Sequence, residues 1–89
     1  MHETAIEAVY ELRGVVQGVG FRPAVFRLAA EGGLSGAVQN CAAGVRITIE
    51  GPPDGIDAFV RALPLHLPKN AQLDSINEIM RRPATGAGG

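Results

Sequence analysis

Ala8-Val9-Tyr10-Glu11-Leu12-Arg13-Gly14, continuing as Val15-Val16-Gln17-Gly18-Val19-Gly20-Phe21-Arg22-Pro23, contains a change of period that decides the fold. Ala8, Tyr10 and Leu12 alternate with Val9, Glu11 and Arg13, which is the period-two pattern of a strand with one apolar face. Gly14 is expected to end that strand. Beyond the glycine loop, Phe21, Val25, Leu28 and Ala29 fall at i, i+4, i+7 and i+8, one face of a helix. Pro23 suits the first position of that helix, and Gly32-Gly33 supplies its stop. The first unit is therefore strand, glycine loop, helix.

Working outward, residues 34–41 predict a second strand, with Val38 as its core residue. Val45, Ile47 and Ile49 alternate with Arg46, Thr48 and Glu50, a third strand. Ala42-Ala43-Gly44 between the two is short enough for a hairpin turn. Asp54 is a candidate N-cap for a second helix, whose apolar face is Ile56, Phe59, Val60 and Leu63 and which Pro64 ends. Residues 64–70 are expected to be a loop. Residues 72–80 predict a fourth strand in which Leu73, Ile76 and Ile79 break strict alternation, as at a bulge or a sheet edge. The order βαββαβ is the ferredoxin-like split βαβ arrangement, an α+β sandwich with two helices on one face of an antiparallel sheet. Residues 1–83 are expected to form the domain, and 84–89 a tail or the start of a linker.

Composition narrows the function. The 89 residues are 46% hydrophobic and 19% charged, with mean hydropathy +0.13, enough for one small core. A formal net charge of -1 argues against nucleic-acid binding, which needs a basic stripe. Arg81-Arg82 is too short a basic run to reverse that. No apolar stretch is long enough for a membrane span, and Met1-His2-Glu3-Thr4 lacks the features of a signal peptide. The expectation is a soluble, cytoplasmic domain. The single cysteine, Cys41, excludes an internal disulfide and a zinc site built on cysteine pairs. His2 and His66 have no ligand partners nearby in sequence, so neither a metal nor a cofactor is expected. Cys41 is read as a structural thiol pointing away from the face that Asn40 shares.

Chemistry concentrates in residues 17–23. Gly18 and Gly20 let backbone N–H groups turn inward and form a concave anion site. The helix N-terminus adds partial positive charge, and Arg22 adds a planar fork suited to phosphate oxygens. The same residues also fit a tight strand-to-helix turn with an exposed arginine, and composition does not choose between the two. A dinucleotide fingerprint is excluded because proline occupies its third glycine position. A P-loop is excluded because no Gly-Lys-Ser/Thr precedes the helix. Asn40 in turn fits either a site residue or the residue before a hairpin.

Val16-Gln17-Gly18-Val19-Gly20-Phe21-Arg22, with Gly36-Ala37-Val38-Gln39-Asn40 and Gly44-Val45, resembles the acylphosphatases. Gly20-Phe21-Arg22-Pro23 and Leu73-Asp74-Ser75-Ile76 are most similar to the N-terminal acylphosphatase-like domain of HypF-type carbamoyltransferases of hydrogenase maturation. The resemblance spans residues 10–79. It implies that the backbone of Gln17, Gly18, Val19, Gly20 and Phe21, together with Arg22, holds the phosphate of an acyl phosphate, and that Asn40 orients the attacking water. It further implies hydrolysis of carbamoyl phosphate to carbamate and phosphate, no cofactor, further carbamoyltransferase domains, and HypE as partner. A free-standing acylphosphatase and a non-catalytic phosphate-binding module are the alternatives. Two features depart from the family. The turn Asn40-Cys41-Ala42-Ala43-Gly44 lacks the usual aspartate before glycine. No Phe-x-Ile strand follows the fourth, so continuation into a longer protein is expected.

Overall fold

The computed structural model describes residues 5–15, 20–42, 44–67 and 72–84, with Val15 described by its backbone alone. The elements are β1 (Ile6–Val15), α1 (Phe21–Glu31), β2 (Ser35–Cys41), β3 (Gly44–Gly51), α2 (Pro53–Ala62), a 3₁₀ turn (Leu63–Leu65) and β4 (Gln72–Pro83). The four strands form one sheet in the order β2-β3-β1-β4, antiparallel at every pairing. This is the ferredoxin-like βαββαβ sandwich.

The alternating residues of β1 and β3 build the core. Ala8, Tyr10 and Leu12 are buried together with Val45, Ile47 and Ile49. Phe21, Val25 and Ala29 of α1, then Ile56, Phe59 and Leu63 from α2 and the 3₁₀ turn, close it from above. Val38 is buried on β2 as expected, while Leu28 and Val60 pack at its margin. Burying side chains of this size contributes about 1.5–3 kcal/mol each against an exposed position, so the paired apolar stripes hold the helices on one face.

Helix α1 ends where the glycines predict. The Leu34 N–H donates to the Ala29 carbonyl at 2.9 Å and the Gly33 N–H to Ala30 at 3.1 Å, with Gly33 at φ 73°. That is a Schellman stop, and buried Leu34 supplies its apolar contact.

Other boundaries move. Gly14 does not end β1: the strand runs to Val15, and a register shift lies between Arg13 and Gly14. Pro23 is the third residue of α1, still in the first turn, where a missing N–H costs no helical bond. The N-cap of α2 is Pro52 and not Asp54, which lies in the first turn and faces the helix's positive end. Pro64 sits inside the 3₁₀ turn that continues α2.

The irregular fourth strand is both bulged and at the sheet edge. Val9 pairs with Met80 but Tyr10 with Glu78, and Arg13 with Ser75 but Gly14 with Leu73. Ile79 and Asp74 are the extra residues. Each bulge resets the alternation, so Leu73 and Ile76 reach the core margin while Ile79 is exposed. β4 also runs on to Pro83, and the Ala84 N–H donates to the Ala5 carbonyl at 3.0 Å. Of the tail expected at 84–89, Ala84 is thus described and residues 85–89 lie outside the described residues, as do the turn residue Ala43 and His2.

Candidate functional site

The antiparallel order brings the end of β1, the start of α1 and the β2–β3 hairpin to one edge of the sandwich. Gly20, the N-cap of α1, is left-handed at φ 82° and ψ 12°, a conformation glycine adopts without strain. Its carbonyl accepts the Ala24 N–H at 3.2 Å. No side chain caps the helix and no acidic residue lies in its first turn. Among the described residues, therefore, no cap or first-turn acid compensates the partial positive charge of this end.

Arg22 leaves the first turn on the exposed side while Phe21 turns into the core. Asn40 lies on the face of β2 that carries buried Val38, two residues away, and so points to the helix side. The two side chains meet: Arg22 Nη2 donates to Asn40 Oδ1 at 3.5 Å. That length is at the outer limit of a hydrogen bond, so the contact orients the groups more than it consumes them. Asn40 keeps its N–H donors and an acceptor lone pair for a water. Cys41, the next residue, takes the opposite face and is a half-buried free thiol.

The other strand arginines differ in one respect. Arg13 and Arg46 pair with Glu11, Arg82 with Glu7, and Arg81 with Asp57 and Glu78. Arg22 has no carboxylate partner among the described residues, so its charge faces solvent at the positive helix end. Glu7 and Glu11 are half-buried, and each pairs with an arginine of a neighbouring strand.

The structure thus brings together Arg22, Asn40, Gly20 and Phe21. Gln17, Gly18 and Val19 lie outside the described residues. Among the described residues no group of three histidine, cysteine, aspartate or glutamate side chains is placed to hold a metal, and no helix is long and apolar enough to cross a membrane. His66 is exposed and away from Asn40 in sequence and element.

A family model of the acylphosphatases matches residues 8–86. The chain belongs to the acylphosphatase family. It is 48% identical over 67 residues to carbamoyltransferase HypF2 of Cupriavidus necator, a match covering 75% of this chain and 8% of that protein. It superposes on the crystal structure of full-length HypF in the phosphate- and nucleotide-bound form with TM-score 0.86 and 31% identity, over 97% of this chain and 11% of that one. An acylphosphatase from Bacillus subtilis superposes with TM-score 0.77 and 32% identity, over 92% and 90% of the two chains. The chain therefore spans about a tenth of the HypF proteins that it matches and nearly all of a small acylphosphatase.

One polar cluster in this acylphosphatase fold was not foreseen from sequence. Tyr10 Oη donates to Glu78 Oε1 at 2.9 Å and accepts from Arg81 Nη2 at 2.9 Å, while Arg81 also reaches Asp57 of α2 at 2.8 Å. Burial pushes the Tyr10 hydroxyl above its ordinary value; the Arg81 hydrogen bond works against the rise and the one to Glu78 with it. Hydrogen bonds to Asp57, then to Tyr10, hold Arg81 more firmly protonated than usual. Only the β4 bulge turns Glu78 and Arg81 to this face, and the bare period-two pattern conceals it.

Proposed function

We propose that this domain hydrolyses acyl phosphates, with Arg22 and the loop backbone from Gln17 to Phe21 holding the phosphate and Asn40 orienting the attacking water. One observation carries the reading: Arg22 and Asn40, eighteen positions apart, meet at 3.5 Å beside an uncapped helix N-terminus. Water adds to phosphorus as the bond from phosphorus to the acyl oxygen breaks, and a phosphate oxygen of the substrate takes the water's proton. The transition state is loose and anionic, so positioning and charge stabilisation supply the acceleration without a side-chain base.

Similarity to the HypF carbamoyltransferases favours carbamoyl phosphate as the substrate, released as carbamate and phosphate. In this reading residues 1–83 are one unit of a larger carbamoyltransferase, with HypE as the partner that receives the carbamoyl group in hydrogenase maturation. The near-complete overlap with the Bacillus subtilis acylphosphatase favours a second reading, a free-standing acylphosphatase of general acyl phosphates.

Phosphate release from carbamoyl and acetyl phosphate tests both. Arg22→Ala and Asn40→Ala are each expected to lower kcat by about a hundredfold or more, the scale of losing a charge-stabilising group. A preference for carbamoyl phosphate supports the first reading, and equal rates on the two substrates the second. Phosphate binding without turnover in the unaltered chain would leave a phosphate-binding module and sink both.

A further inference from the structure

Strand β2 folds back along α1 from the turn at Gly32-Gly33, and the far ends of the two elements meet where Arg22 reaches Asn40. The positions of β2 on the helix side are Gly36, Val38 and Asn40. Gly36 has no side chain, and Asn40 is engaged with Arg22. Val38, buried at 8% exposure, is thus the one apolar side chain of β2 (Ser35–Cys41) that stands between the strand and the helix. Val25, three residues after Arg22 and 2% exposed, lies on the helix side of the same gap. The two valines line one narrow cleft with about 10 Å³ of free space, at the lower limit for a single water. Phe26, the bulkiest α1 side chain of that cleft, is half exposed.

We propose that Val38 is a positioning residue: packed against Val25, it is the spacer that sets the distance at which Arg22 of α1 meets Asn40 of β2. The inference rests on the roles given above to Arg22 and Asn40. The valine pair and the Arg22–Asn40 contact are two rungs between the same two elements. Val25 follows Arg22 by about 4.5 Å of helix rise, and Val38 precedes Asn40 by about 6.6 Å of strand. The backbone turn that ends at Leu34 fixes the opposite end of the pair, where the Leu34 N–H donates to the Ala29 carbonyl at 2.9 Å. From that fixed end the valine rung stands about 13 Å along β2 and the Asn40 rung about 20 Å. A change of about 1 Å at Val38 therefore becomes about 1.5 Å at Asn40 by simple leverage. The contact is 3.5 Å long, at the outer limit of a hydrogen bond, so a displacement of that size either breaks it or drives the two groups together.

The test compares the unaltered chain, Val38→Ala and Ile56→Val in steady-state acyl phosphate hydrolysis, with rates corrected for folded fraction by circular dichroism. Ile56 is a buried core residue of α2, so its lost methyl controls for core loss away from the two rungs. Val38→Ala is expected to lose about ten- to a hundredfold in kcat, the effect of a displacement of about an ångström. Inhibition by inorganic phosphate should be little changed, because Arg22 and the helix end both belong to α1. Asn40→Ala should cost severalfold less in Val38→Ala than in the unaltered chain. Val25→Ile added to Val38→Ala lengthens the rung again and should recover most of kcat. Ile56→Val should lose thermal stability but keep kcat. Equal kcat losses in Val38→Ala and Ile56→Val, full additivity with Asn40→Ala, or a folded double variant no faster than Val38→Ala would overturn the proposal. Should Val38→Ala not fold, Val25→Ala shortens the same rung from the helix and is judged by the same loss of kcat and the same non-additivity with Asn40→Ala. If the unaltered chain hydrolyses nothing, the functional reading fails, and the spacer is judged separately by nuclear magnetic resonance. Arg22→Lys should then shift the Asn40 side-chain amide signal in the unaltered chain and by less than half as much in Val38→Ala; equal shifts would refute the positioning role.

Discussion

Arg22 and Arg81 are the same side chain in two settings. Arg81 lies between Asp57, Glu78 and Tyr10, with contacts of 2.8 to 3.0 Å. Arg22 lies at a positive helix end and touches one neutral amide at 3.5 Å. The first arginine has its charge answered and its donors engaged, so it ties β4 to α2. The second has no carboxylate partner among the described residues and lies at an uncapped helix N-terminus. A guanidinium can be a fastener or a receptor for an anion, and the presence of a carboxylate partner decides which.

The sharpest way to break this contrast is to give Arg22 what Arg81 has. Asn40→Asp puts a carboxylate beside Arg22, and inorganic phosphate should then inhibit about a hundredfold more weakly, with turnover lost to a similar degree. Phosphate inhibition that survives this change would show that the free charge of Arg22 is not what matters. The reverse operation, Arg81→Ala, should leave kcat intact and cost about 1–2 kcal/mol in urea unfolding, discounted for partial exposure. A kcat loss without a stability loss would contradict the division of labour.

Tyr10 sharpens the comparison through pH. Its hydroxyl pKa is raised above 10.0 in the folded chain, so folding favours the protonated form. The resulting stabilisation is full below about pH 10 and is lost as pH rises through the folded value. Tyr10 is the only tyrosine and there is no tryptophan, so near-ultraviolet absorbance follows this hydroxyl alone. The folded chain should titrate above the urea-unfolded chain, and coincident curves would dissolve the cluster. The smallest effect belongs to the rim pair of Arg82 and Glu7, where Arg82→Ala should cost about 0.5 kcal/mol or less. A thermal melt measurably lower than that implies would place Arg82 with Arg81 as a fastener.

Legibility differed between the halves of the sheet for a physical reason. β1 and β3 are central strands with one buried face, so alternation names Ala8, Tyr10, Leu12, Val45, Ile47 and Ile49 without reference to anything else. β4 is an edge strand whose two bulges each shift the period by one, which makes Ile79 look like a core residue and hides Glu78 and Arg81. Asp54 looked like an N-cap because its side chain suits the role, but the chain already turns at Pro52.

By itself the sequence determined the βαββαβ order, the two helix stripes, the Gly32-Gly33 stop and, through its motifs, the candidate pair Arg22 and Asn40. Each of these is local, a matter of period, of backbone freedom or of a spacing within one element. Tertiary structure alone decided that Arg22 meets Asn40, and that Arg81 finds Asp57 and Glu78 while Arg22 has no carboxylate partner among the described residues. These depend on which strands lie side by side and how closely, and strand register and close approach are set only when the whole sheet packs.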